Sequence, residues 1–166
     1  MKDIITKINE ARLSDKTSKP FTSKEELDNF IKEVEETKKI IQHYEKEAQV
    51  YWDRMTKCQN DAEKEFRKLG YDKLKGEEWN QRYDEIFQGK YKLDELMNKA
   101  TEVMKTPECV KANEHLYGEL QQRALDSLSP KEQKNIGKRG GRLYNIMNEV
   151  LKKYIKWDFI KNKPVE

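Results

Sequence analysis

From Leu27 onward apolar residues return in alternating steps of three and four: Leu27, Phe30, Val34, Ile41, Tyr44, Ala48, Tyr51, Met55, Cys58, Ala62 and Leu69, with Thr37 and Glu65 as the polar members of the row. Such steps keep one face of an α-helix apolar and predict a single heptad-patterned helix over about 24–69. Ser23 and Glu26 form a capping-box pattern at its start. No Gly or Pro intervenes before Gly70, which suits the left-handed residue that closes a helix. Glu25 and Glu26 in the first turn and Arg67 and Lys68 in the last complement the helix dipole. At about 1.5 Å per residue the rod would be roughly 70 Å long. A second thread of Ile31, Trp52 and Phe66 widens the apolar face, so the helix needs at least two neighbours, as in a bundle rather than a zipper.

The remaining apolar rows keep a similar period over shorter segments. Ile4, Ile5, Ile8 and Ala11 predict a short helix over 2–13, and the aperiodic Ser14–Thr22 a loop and candidate hinge for it. Tyr71–Gly76 reads as a turn. Trp79, Tyr83, Ile86, Leu93, Met97, Ala100 and Met104 predict a helix bent or broken near Gly89, where Lys90 takes an inward position. Thr106–Pro107 and Ser129–Pro130 each place a capping residue before a first-turn proline, and Glu132 completes a capping box at the second. Leu116, Leu120, Ala124 and Leu128 line the segment between them. Leu143, Met147, Val150, Tyr154 and Trp157, thickened by Ile146, Leu151 and Ile160, form a strongly apolar last helix, beyond which 161–166 is expected to fray. The expected fold is therefore all-α, an extended helical bundle of one very long helix and four shorter ones in a single domain over 1–166.

Composition changes this picture little. Charged residues make up 39% and hydrophobic ones 35%, as long amphipathic helices require, while three Trp, eight Tyr and five Phe argue against a disordered chain. No apolar run approaches the roughly 18 residues needed to span a bilayer, and no signal-peptide core opens the chain, so a cytoplasmic protein without membrane contact is expected. Cys58 and Cys109 lack CxxC spacing and read as half-buried thiols of a reducing compartment. Charge is uneven. From Ser129 to Glu166 ten Lys or Arg face four Asp or Glu, giving +6, which leaves −3 for the rest of the net +3.

Candidate chemistry is sparse. His43 and His115 have no second nitrogen or sulfur ligand at helical spacing, and neither follows a Glu by three residues, so neither a closed zinc site nor a di-metal carboxylate site is expected. Glu33/Glu36 and Glu45/Glu47 alternate with Lys and read as a solvated face. No phosphate loop, dinucleotide fingerprint or nucleophile elbow occurs, so neither a catalytic site nor a cofactor is expected.

Two surfaces remain. Lys138, Arg139 and Arg142 surround the glycines of 137–142, with Lys152, Lys153 and Lys156 beyond them, a set suited to phosphates and hence to nucleic acid. Read structurally, the same glycines are a helix cap and a turn. Tyr44, Tyr51, Trp52 and Met55 would fill a core, or form an interaction patch where the long helix outlasts its neighbours. The leading expectation is a non-enzymatic protein-interaction module, such as an adaptor, scaffold or inhibitor, whose partner is another protein. Small Lys-, Glu- and Asn-rich accessory proteins of phages and mobile elements share this character. Nucleic-acid binding through the basic C-terminal quarter is the alternative, and a homodimer through the long helix a further expectation.

Overall fold

The long helix begins as its capping pattern predicts, with one change of partner. Ser23 Oγ accepts the Glu26 N–H at 3.0 Å, but the Glu26 carboxylate reaches back to Thr22, accepting its N–H at 2.9 Å and its hydroxyl at 2.7 Å. Helix α1 runs Lys24–Lys68 and is closed by Gly70 at φ 74°, a conformation that glycine adopts without Cβ strain. Thr37, buried in the apolar row, donates its hydroxyl to the Glu33 carbonyl one turn back at 2.8 Å, so the polar exception carries its own partner. Leu69, expected in the row, is 51% exposed because the helix ends beside it.

The computed structural model describes residues 19–165, which form an all-α fold in two compact units. One gathers 39–111 and the other joins 19–38 with 112–165, so α1 contributes to both. The predicted helix over 2–13 and residues 14–18 of the following loop lie outside the described residues.

In the unit over 39–111, a 3-10 turn at Tyr71–Lys73 follows α1, then α2 (Gly76–Tyr83), a π-helical segment π1 (Asp84–Lys90), α3 (Leu93–Met104) and the first turns of α4 (Pro107–Glu114). The break expected near Gly89 is this π-helical segment, after which Lys92 turns the chain at φ 53°. Ala62, Phe66, Ile86, Phe87 and Leu93 form the core, with Met55, Cys58, Tyr71, Trp79, Tyr83 and Tyr91 packed against it. Phe66 meets the rings of Tyr71, Trp79, Tyr83 and Phe87 edge to face, with centroids 5.7–6.3 Å apart. Glu65 and Lys90, the two polar residues at inward positions, find each other at 2.6 Å, and Tyr91 donates its hydroxyl to the same carboxylate at 2.7 Å. Both bonds hold the Glu65 carboxyl below its ordinary range, Lys90 contributing most.

The other unit begins with Phe21, in the stretch the sequence leaves as loop, yet 1% exposed. Its ring packs on Phe30 and on the edge of Tyr154, at centroid distances of 5.1 and 5.3 Å, and its N–H donates to the Tyr154 hydroxyl at 2.9 Å. That hydroxyl also lies 3.3 Å from the Ser127 carbonyl, so the phenol ties three chain segments together. After α4 come π2 (His115–Leu120), α5 (Gln121–Asp126), α6 (Pro130–Gln133) and α7 (Arg142–Tyr154). The capping box at α6 forms on Ser129 and Glu132 as expected. Helix α7 buries Leu143, Ile146, Met147, Val150 and Tyr154.

Beyond α7 the fraying expected over 161–166 gives way to an antiparallel hairpin, β1 (Trp157–Asp158) and β2 (Lys163–Pro164), with Trp157 opposite Pro164. Asp158 Oδ1 accepts the N–H groups of Ile160 and Lys161 at 3.0 and 3.1 Å, and the Val165 N–H donates to the Lys156 carbonyl at 2.7 Å. A side-chain-capped turn of this kind is common for Asp, but the sequence rule that ends of chains fray conceals it.

Candidate interaction surface

The cations singled out by sequence divide into three sets. Lys138, Arg139 and Arg142 are exposed on the glycine loop. Gly140 and Gly141 have φ of 82° and 89°, and Asn145 Nδ2 lies 2.9, 2.5 and 3.0 Å from the carbonyls of Gly137, Arg139 and Gly141. Two amide hydrogens serve three inward-turned carbonyls, so the loop is held as a turn by one side chain and offers its cations outward.

Lys153 is internal. Its side chain is 12% exposed, its Nζ donates to the Ser127 carbonyl at 2.8 Å and pairs with Glu132 at 3.1 Å, and it lies over the Trp157 ring at 5.2 Å. Such a group bolts α7 to the turn before α6. Lys152 and Lys156 are exposed, and among the described residues no hydrogen bond or ion pair engages either ammonium.

Those two lysines border a feature the sequence misassigns. Leu151 and Ile160, expected to thicken the buried stripe, face outward, as do Tyr144 and Ile155. Exposures are 60% for Tyr144, 43% for Leu151, 81% for Ile155 and 97% for Ile160. Positions 144 and 151 are seven residues apart and fall on one line along α7, with the exposed Asn148 between them, and Ile155, the C-cap in helical conformation, extends that line. Lys152, one residue beyond Leu151, lies about 100° around the helix from it, and Lys156 follows Ile155 in the turn beyond α7. Helix α7 is thus apolar on two faces. One faces the core, and the other meets solvent beside a basic flank.

A cleft of about 430 Å³ runs beside that flank, lined by Lys152, Lys156 and Glu149 of the α7 segment, by Trp157, Pro164 and Val165 of the hairpin, and by Asn135. Trp157 Nε1 is buried and finds no acceptor among the described residues, an arrangement that costs about 1–3 kcal/mol.

The aromatic candidates on α1 are less available. Tyr44 is half-buried and donates its hydroxyl to Glu108 at 2.6 Å, which pushes its pKa up to about 12. Met55 packs against the Phe66 core, and Trp52 is half-buried. Tyr51 borders a shallow cleft with Val50 and Val103.

His115 gains partners that helical spacing shows only in part. Its Nδ1 lies 3.1 Å from Glu119, one turn on, and its Nε2 lies 2.7 Å from Glu33 of α1. Both ring nitrogens can donate only in the imidazolium, which the two carboxylates favour, and its pKa is raised, chiefly by the bond to Glu33. The two nitrogens diverge, so the three residues do not converge on one ion, and among the described residues no group of three His, Cys, Asp or Glu could hold a metal. A raised folded-state pKa contributes stability that is full below the unfolded value near 6.5 and is lost as pH rises through the folded one. Urea titrations across that range should therefore show the protein losing stability with rising pH, and His115→Gln should flatten the loss. An unchanged slope in the variant would assign the dependence to other groups.

Among the described residues no helix is long and apolar enough to cross a membrane. No protein-family model matches the chain, and no curated protein or solved structure matches it either.

Proposed function

We propose that this chain is a non-enzymatic protein-interaction module that docks a partner on the outer face of α7 and the tip of the hairpin. The observation that carries the reading is the solvent-facing row of Tyr144, Leu151 and Ile155, flanked by two lysines whose ammonium groups make no hydrogen bond or ion pair among the described residues, with Ile160 exposed on the hairpin that follows. Isolated apolar residues are ordinary on a protein surface, but a row at helical spacing beside a concave cleft is the pattern of a contact surface. The hairpin tip is held by Asp158, so Ile160 is presented rather than tethered loosely, which lowers the ordering entropy of binding. An adaptor, scaffold or inhibitor would use such a face by shape and charge.

The test is affinity capture from the cells that make the protein, comparing the natural chain with Leu151→Asp and Ile155→Asp. Exposed substitutions of this kind change stability by about 0.5 kcal/mol or less, and circular dichroism would verify it. A partner held by the natural chain and released by both variants supports the reading. A partner retained equally by both moves the docking surface elsewhere.

Nucleic-acid binding is the second reading, favoured by the outward cations Lys138, Arg139 and Arg142. It predicts affinity for labelled oligonucleotides that falls by orders of magnitude between about 50 and about 200 mM salt.

A further inference from the structure

We infer that the partner's docking element is an amphipathic α-helix with a carboxylate-bearing flank, which lays its apolar stripe along Tyr144, Leu151 and Ile155 and sets its Asp or Glu side chains against Lys152 and Lys156. This rests on the docking face proposed above and names what occupies it.

Length argues for a helix. From 144 to 155 the apolar row spans about 16 Å, or three turns, at about 1.5 Å per residue. A partner helix of three to four turns, with apolar residues at i, i+3, i+4 and i+7, covers a row of that length by seating its ridge against that of α7. Ile160, 97% exposed, lies in the hairpin that follows α7 and offers a further apolar side chain to a partner.

Charge decides the flank. Of the charged residues lining the cleft, Lys153 and Glu132 pair with each other at 3.1 Å, which leaves Lys152 and Lys156 against Glu149 alone. The wall is net positive. A carboxylate entering the cleft supplies the negative charge that this wall lacks.

Other occupants fit less well. A second copy docking through the same face by two-fold symmetry would oppose Lys152 and Lys156 to themselves. A nucleic-acid backbone offers nothing to the apolar row. A bilayer surface carries no projecting side chain to fill a concave cleft.

The test uses fluorescence anisotropy with three labelled 18-residue helical peptides. One carries a Leu stripe flanked by Glu, the second replaces Glu by Lys, and the third keeps Glu but replaces Leu by Ser. The first should bind the natural chain at least about tenfold more tightly than either of the others. In the Lys152→Glu/Lys156→Glu variant the order of the first two should reverse, because the attraction and the repulsion exchange places. Equal binding of the Glu and Lys peptides to the natural chain would overturn the acidic flank and leave the apolar docking face standing. Absence of binding by the Glu peptide overturns the inference. Binding unaffected by Leu151→Asp and Ile155→Asp removes the docking face beneath it as well. Small unilamellar vesicles of phosphatidylserine and phosphatidylcholine form the lipid arm, and binding to them stronger than to the Glu peptide would replace the partner helix with a membrane surface.

Discussion

Phe66→Ala is expected to destabilise the unit over 39–111 by about 3–5 kcal/mol, the range for removing a buried phenyl ring. Phe66 is 6% exposed and sits at the meeting point of four other rings. Edge-to-face pairs add about 0.5–1.5 kcal/mol each beyond burial, so the loss should lie toward the upper part of that range. The cavity cannot easily collapse. Trp79, Tyr83 and Phe87 are spaced four apart and stack on one another with centroids 5.0 and 4.2 Å apart, so any ring that moved into the void would leave its neighbour. Urea unfolding followed by the fluorescence of Trp79, with Trp52 and Trp157 replaced by Phe, measures the effect locally. A change below about 1 kcal/mol would show that the ring cluster is not what holds this unit.

The second large effect is expected at Phe21→Ala, again about 3–5 kcal/mol, in the unit that joins 19–38 with 112–165. The ring lies between Phe30, Tyr154 and the Arg123 guanidinium, which stands 4.0 Å above it. Arg123 also donates to the Lys19 carbonyl at 2.6 Å and pairs with Glu26 at 3.0 Å, so losing the ring loosens the anchor of the segment that leads into α1. Calorimetric unfolding should show a lowered midpoint, and a midpoint equal to that of the natural chain would mean that the leading segment is dispensable.

These two residues mark what can and cannot be read from a sequence. Phe66 belongs to a periodic thread, and periodicity survives in a string of letters. Phe21 has no such context: it follows Pro20 among Ser and Thr, and its burial comes from Tyr154, 133 residues away. The same limit accounts for the polar exceptions. Thr37 is satisfied within its own helix, which spacing suggests, whereas Glu65 and Lys90 pair across 25 residues, each looking like a defect when seen alone.

The candidate surface was legible in part. Net charge pointed to the C-terminal quarter, and Lys152 and Lys156 do border a cleft there. Lys153, in the middle of that run, turns inward because position 153 falls beside Ser127 and Glu132. Leu151 and Ile160 were misplaced for a physical reason. A helix apolar on two faces reads as one broad buried stripe, and only the position of its neighbours separates the face that packs from the face that meets solvent. His115 illustrates the converse. Glu119 stands one turn away in sequence, but Glu33, the partner that most raises the imidazole pKa, is brought by another helix.

The most direct measurement of the central claim is photocrosslinking in living cells from a benzophenone amino acid placed at position 155, with position 50 as the exposed control outside this unit. A docking face predicts a discrete protein adduct from position 155, absent from position 50 and lost when Leu151→Asp is added. No protein adduct from position 155, or the same adducts from both positions, would contradict the assignment of the outer face of α7 as the surface through which this protein works.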